Sequence, residues 1–286
     1  MKKKPAVAIV GTFDSKGEEH LFLKHCIEKR GIPTLTVNVG TKKPCPFPAD
    51  IDLYPKVKRS LKGNSGNRDN AIEAAIAHAR EVLRDRYEKG EIAGMISAGG
   101  GTGTHLGTSI MRVLPLGVPK LMVSTLGSGQ VRQYVGDKDI LMFNSVVDIA
   151  GINRISRSVL NNAAAAMAGM VRDRAHDSAD DRPLVAATMF GVTTACVQRA
   201  RAILEEAGYE VLVFHATGNG GQAMESLIAE GIIAGVLDIT TTELADELVG
   251  GILTAGPDRL TAAARRGVPQ VVSVGATDMV NFGPPD

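Results

Sequence analysis

Short apolar runs alternate with helix-period segments along the whole chain. Residues 6–10, Ala-Val-Ala-Ile-Val, read as a buried strand. Phe22, Leu23, Cys26 and Ile27 then recur at helical spacing up to a stop at Gly31. Residues 34–39 form the next strand, and 40–68 a long connection rich in Pro, Gly and Lys. Ile72, Ala75, Ile76, Ala79, Leu83 and Tyr87 share one face of a helix. A strand over 92–96, a helix over 106–114 and a strand over 120–125 follow. This alternation predicts a parallel sheet covered on both faces.

An Ala-rich helix over 155–174 leads into a polar, aperiodic stretch, 174–183, that ends in proline and reads as a linker. Beyond it the pattern restarts, with strands at 184–189, 210–215, 232–239 and 269–274. Three phrases recur in the same order. Arg30-Gly-Ile-Pro-Thr-Leu matches Ala207-Gly-Tyr-Glu-Val-Leu, and Glu91-Ile-Ala-Gly-Met-Ile matches Ile232-Ile-Ala-Gly-Val-Leu. Gly117-Val-Pro-Lys-Leu-Met matches Gly267-Val-Pro-Gln-Val-Val. The expectation is an α/β protein of two duplicated Rossmann-like parallel-sheet units in tandem, residues 1–178 and 179–286.

The richest motif is Ser97-Ala-Gly-Gly-Gly-Thr-Gly-Thr104, set between a strand and a helix. Glycines let backbone N–H groups approach phosphate oxygens without a Cβ in the way, and a helix N-terminus adds partial positive charge. A simple turn needs one or two glycines. Gly99, Gly100, Gly101 and Gly103 therefore point to a phosphate cradle, with the Thr102 and Thr104 hydroxyls as further donors. After the first strand, Gly11-Thr-Phe-Asp-Ser-Lys-Gly17 approaches a P-loop but lacks its Gly-Lys-Ser/Thr ending. Gly11, Thr12 and Lys16 there would contact phosphate and Asp14 would hold Mg2+ or a ribose hydroxyl. A competing structural reading makes Ser15 and Glu18 a capping box. Thr125 and Gly127, after a later strand, extend the nucleotide-binding set. The Gly-x-Gly-x-x-Gly pattern fails at Leu106, which disfavours a dinucleotide.

In the second half, His215-Ala-Thr-Gly-Asn-Gly-Gly221 is another Gly-rich turn. His215, Asp238 and Glu243 form the candidate acid/base set for a small-molecule substrate, with Glu225 nearby. The competing reading makes His215 a structural residue at a strand end. Lys42, Lys43, Lys56, Lys58, Arg59, Lys62 and Arg68 make the 42–68 region basic, either a flap over phosphates or a solvated charged loop.

Composition narrows the classes. The 286 residues are 44% apolar, enough for a sizeable core, and 32 basic against 31 acidic side chains leave a net charge of +1. That balance calls for neither nucleic acid nor an acidic membrane surface, and the absence of Trp argues against a base-stacking platform for single strands. Cys26, Cys45 and Cys196 lie far apart and read as reduced thiols, with no metal site. Met1-Lys-Lys-Lys4 lacks the long apolar run of a signal peptide, so a cytoplasmic location is expected.

Several strings together resemble a largely uncharacterised α/β family that includes the ATP-binding N-terminal region of the tomato mosaic virus resistance protein. They are residues 11–19, 98–104, 150–155, 188–194, 215–221, 238–243 and 278–283. The resemblance implies two Rossmann-like subdomains, ATP as ligand and homodimer formation. It also implies that the second unit stops short of its final strands. The motif Gly-Gly-Gly-Thr-Gly-Thr is similar as well to the phosphate loop of tubulin-like GTPases, although the 11–19 loop and the duplicated second half do not fit that family. A metabolite-converting enzyme and a nucleotide-regulated interaction module both remain open at this point.

Overall fold

A computed structural model describes residues 4–61, 68–173 and 182–283. Of the expected linker, 174–183, residues 174–181 lie outside the described residues, as does Lys62. The chain divides into two compact units, residues 1–176 and 177–286.

The first unit runs β1 (Ala6–Gly11), α1 (Phe13–Glu28), β2 (Thr34–Asn38), β3 (Ile51–Asp52), α2 (Tyr54–Ser60), α3 (Arg68–Glu88), β4 (Ile92–Gly99), α4 (Gly101–Met111), β5 (Lys120–Ser124), α5 (Arg132–Val135), β6 (Leu141–Asn144) and α6 (Arg154–Arg172). Its six strands lie in the order β3-β2-β1-β4-β5-β6, all parallel. In β1, Ala8 and Val10 face one core with Ala75, Leu83, Leu106 and Ile110. Val7 and Ile9 face the other, with Leu23, Ile27, Leu160 and Met167. Both faces being covered is why the strand reads as an unbroken apolar run. The strand order reverses between β1 and β4, so the loops leaving their carboxyl ends flank a crevice.

The second unit comprises β7 (Leu184–Met189), α7 (Thr194–Glu206), β8 (Glu210–His215), α8 (Asn219–Ala229), β9 (Gly235–Thr240), α9 (Thr242–Val249), α10 (Ala262–Arg266) and β10 (Gln270–Gly275). Its sheet order is β10-β9-β7-β8. Read from β8, this is second, first, third, fourth, the same arrangement as β2-β1-β4-β5 in the first unit. The repeated phrases lead into the equivalent pairs β2 and β8, β4 and β9, β5 and β10. The tandem pair of Rossmann-like sheets is thus present in topology as well as in sequence.

Two local expectations change. The glycine motif is not a loop ahead of a helix at 106, because α4 starts at Gly101 and the motif forms its first turn. The connection over 40–68 contains β3, α2 and the start of α3. Glu243, proposed from the sequence only as an acid/base candidate, lies in the first turn of α9 beside Thr242. No helix among the described residues is long and apolar enough to cross a membrane.

Candidate functional site

At the crevice of the first unit lies a cavity of about 320 Å3. The β1–α1 segment contributes Thr12, Asp14, Ser15 and Lys16, and the β4–α4 segment contributes residues 99–103. Thr41, Lys42 and Arg68 close it from the basic region, with Ile72 and Leu106 as apolar walls. Among the described residues, the lining carries three cations, Lys16, Lys42 and Arg68, against one carboxylate, Asp14.

The glycines of the motif divide into two kinds. A Cβ on Gly99 would stand 2.8 Å from Gly103 Cα, so strand and helix could not approach as they do. At Gly100, Gly101 and Gly103, by contrast, the nearest atoms to a Cβ are 3.8, 4.0 and 3.8 Å away. None of these three is among the glycines with positive φ. Nothing among the described residues requires glycine at these positions. No side chain caps α4, and the first-turn N–H groups of a helix have no intrahelical acceptor.

Other expected contacts look inward. The Thr104 hydroxyl is fully buried and hydrogen-bonded to Ser124 Oγ at 2.6 Å and to the Gly99 carbonyl at 3.4 Å. It braces the motif from below and is not a phosphate donor. Thr102 stays at the cavity, accepting from Arg68 at 3.4 Å. Gly127 is glycine because a Cβ would lie 2.9 Å from the Asn144 backbone of β6. Thr125, whose Oγ1 is 3.8 Å from the Cβ position of Gly100, lines a separate cavity with Leu126, Gln130 and Tyr134. Neither Thr125 nor Gly127 lines the main cavity.

The first turn of α1 is unusual. Thr12 precedes it, and Lys16 breaks helical geometry at φ −130°, ψ 32°. Ser15 donates to the Thr12 carbonyl, so no capping box with Glu18 forms. The Lys16 ammonium donates to the Ile149 carbonyl while lining the cavity. Asp14 Oδ2 accepts from the Lys42 backbone N–H at 2.8 Å, tying the 40–43 segment to the rim.

Behind both loops stands His20, 1% exposed. Its Nε2 accepts from the Ala98 N–H at 3.3 Å. Its Nδ1 is 2.6 Å from the Lys16 carbonyl, and these two contacts assign the proton to Nδ1. Burial lowers its pKa from the ordinary value, outweighing the raising effect of the Lys16 carbonyl. Gly11 is glycine for this ring, since a Cβ would come within 2.1 Å of Nε2. The fold, and not a ligand, accounts for Gly11. One neutral imidazole thus links the two cavity-forming loops, a role with no local sequence signal, because His20 and Ala98 are 78 residues apart.

In the second unit the expected acid/base set does not assemble. Asp238 and Glu243 are both fully buried and bound to Arg259, which the sequence reading missed. Arg259 donates to Asp238 from both terminal nitrogens at 2.6 Å, to Glu243 at 2.8 Å and to Glu225 at 3.3 Å. Burial works to lower the Arg259 pKa, but Asp238, then Glu243, more than offset it and leave it raised. Glu243 also accepts from the Gly218 and Gly221 N–H groups. Both carboxylates are thus engaged by groups of the chain and shielded from solvent. His215 is exposed and stacks on Phe190 at 5.6 Å. The nearby glycines serve packing: a Cβ on Gly221 would lie 2.3 Å from Glu243, and Gly218 has φ +81°. No cluster of three or more metal-ligating side chains occurs among the described residues.

Comparison with known proteins places this geometry in context. Residues 5–176 match the N-terminal domain of an uncharacterised protein family, UPF0261, and residues 182–286 match its C-terminal domain. A UPF0261 protein of Clostridium tetani is 49% identical over 292 residues, covering 99% of this chain and 71% of the relative. The tomato protein named ToMV resistance protein Tm-1(GCR237) is 41% identical over 306 residues, covering 98% of this chain and 40% of the relative. Among solved structures, Staphylococcus aureus MnaA with UDP is 11% identical, with a TM-score of 0.35 over 96% of this chain and 86% of that one. Acinetobacter baumannii MurG is 12% identical, with a TM-score of 0.31 over 97% and 87%.

Proposed function

The chain belongs to the UPF0261 family, and we propose that its first unit is a binding site for ATP, taken up with Mg2+. The observation that carries this reading is the trio Gly100, Gly101 and Gly103. Their glycine identity has no cause among the described residues, and they form the uncapped start of α4 at the switch point of the sheet. Backbone N–H groups there meet phosphate oxygens that no Cβ displaces. Lys16, Lys42 and Arg68 offset the charge, and the Thr102 hydroxyl adds a donor. Mg2+ usually takes one or two protein carboxylates and completes its shell with phosphate oxygens and water. Asp14, the one acid among the described lining residues, fits that requirement while its Oδ2 keeps the rim in place.

A thermal-shift titration with ATP, GTP and inorganic triphosphate, each with Mg2+, tests the reading. A ligand that binds only the folded state adds about 2.7 kcal/mol at a hundredfold excess over Kd. A saturable shift with ATP is expected. No shift with any of the three overturns the assignment of this cavity to phosphates.

A further inference from the structure

A second cavity, of about 420 Å3, adjoins the first and shares two lining residues with it, Asp14 and Ser15. It lies across the first turn of α1, walled by Leu21 and Pro46, with Phe47 on one side. Phe47 is half-buried and stacks on the fully buried Phe13, with centroids 5.1 Å apart and planes 26° from parallel. Phe13 in turn lies against the His20 ring at 5.2 Å. A ladder of three rings therefore leads from this cavity to the imidazole that links the two phosphate-facing loops.

The two cavities have opposite characters. The first offers backbone donors and cations. The second offers an aromatic face, aliphatic walls and carboxylates. Of these, Glu18 is exposed, while Glu19 accepts from the Gly151 N–H. Gly17 matters to the contact: a Cβ there would stand 3.0 Å from the Phe47 ring and press it away from its place. An anionic head in the first cavity and a flat, amine-bearing ring in the second describe the two ends of one nucleotide.

Resting on the phosphate reading of the first cavity, we propose that the Phe47 cavity receives the nucleobase of the same ligand. The base stacks on Phe47, whose position is held from behind by Phe13. Its exocyclic amino group donates to the carboxylate of Glu18, and the ribose passes over Ser15. The site then selects nucleotides over simple polyphosphates, and does so through the aromatic ring.

Calorimetric titration of the whole chain with ATP and with inorganic triphosphate, both with Mg2+, tests this in the native protein and in Phe47→Ala. Base–aromatic stacking removed by alanine substitution corresponds to a loss of about 5- to 150-fold in affinity. ATP affinity is expected to fall by that factor, with triphosphate affinity unchanged within about twofold. Phe47→Trp, which keeps an aromatic face, is expected to restore preference for ATP. Phe47→Leu keeps apolar contact with Phe13 and guards against a folding defect in the alanine variant. An ATP-to-triphosphate affinity ratio equal in native, alanine and leucine proteins overturns the base site while leaving the phosphate site standing. Absence of binding by either ligand to the native protein overturns both.

Discussion

Replacing Gly101 by alanine should move stability and binding in opposite directions. Gly101 is the first residue of α4, and a Cβ there meets only Leu126 Cδ1, at 4.0 Å. A glycine whose backbone alanine can adopt without strain loses entropy that alanine does not, so the change stabilises the chain by about 0.4–1 kcal/mol. The same methyl group would stand among the N–H groups proposed to hold phosphate. Holding oxygens about an ångström further off forfeits at least one charge-assisted hydrogen bond, about 1.5–3 kcal/mol. That corresponds to a loss of roughly 10- to 150-fold in affinity for ATP. Gly99→Ala is the control, since its Cβ would stand 2.8 Å from Gly103 Cα and must push the helix from the strand. It should lower stability by about 1–3 kcal/mol, as overpacking does. Urea midpoints and calorimetric titration with ATP and Mg2+ read both quantities. A Gly101→Ala protein that binds ATP as the native chain does refutes the phosphate assignment. One that loses stability refutes the claim that the fold tolerates a side chain at this position.

Other consequences follow from the same geometry. Arg259→Met would leave Asp238 and Glu243 buried without their cation and should cost about 3–5 kcal/mol by denaturant unfolding. Neutral His20 has a pKa below its unfolded value, so its contribution to stability is fully present above about pH 6.5 and is lost as pH falls toward the lowered folded value. His20→Asn should flatten that part of the stability–pH curve. An unchanged slope would show that another group sets it. Protonation of the folded protein would also aim an N–H at the Ala98 N–H, so ATP affinity should fall only once pH reaches that lowered folded value. His215→Ala, at an exposed ring, should change stability by no more than about 0.5 kcal/mol and leave ATP binding intact. A stability loss well beyond that would refute the reading of His215 as a solvent-exposed ring.

Much of the architecture was legible in the sequence because its signals are local. Apolar runs of strand length, helical spacing and Gly-Pro punctuation depend on near neighbours, and they located β1, β2, β4, β5 and the tandem restart at β7. Weaker elements such as β6 and α2 were missed, since a four-residue edge strand and a seven-residue helix carry little periodicity. The glycine motif was equally visible, and its place at the end of β4 raised the expectation of a phosphate cradle. Its division into glycines the fold needs and glycines it does not was invisible, because Gly99 and Gly101 look alike until a helix is packed against the strand. The same holds for the charged residues. Asp238, Glu243 and His215 stand together in the sequence pattern as plausible chemistry, yet folding gives the two acids to Arg259 and turns the histidine to solvent. His20 is an ordinary helix residue by sequence and a link between two loops in space. Side chains on separate elements meet according to the order of strands in the sheet, so local patterning determined the elements, whereas long-range packing alone decided which polar groups were spent on structure and which face the crevice.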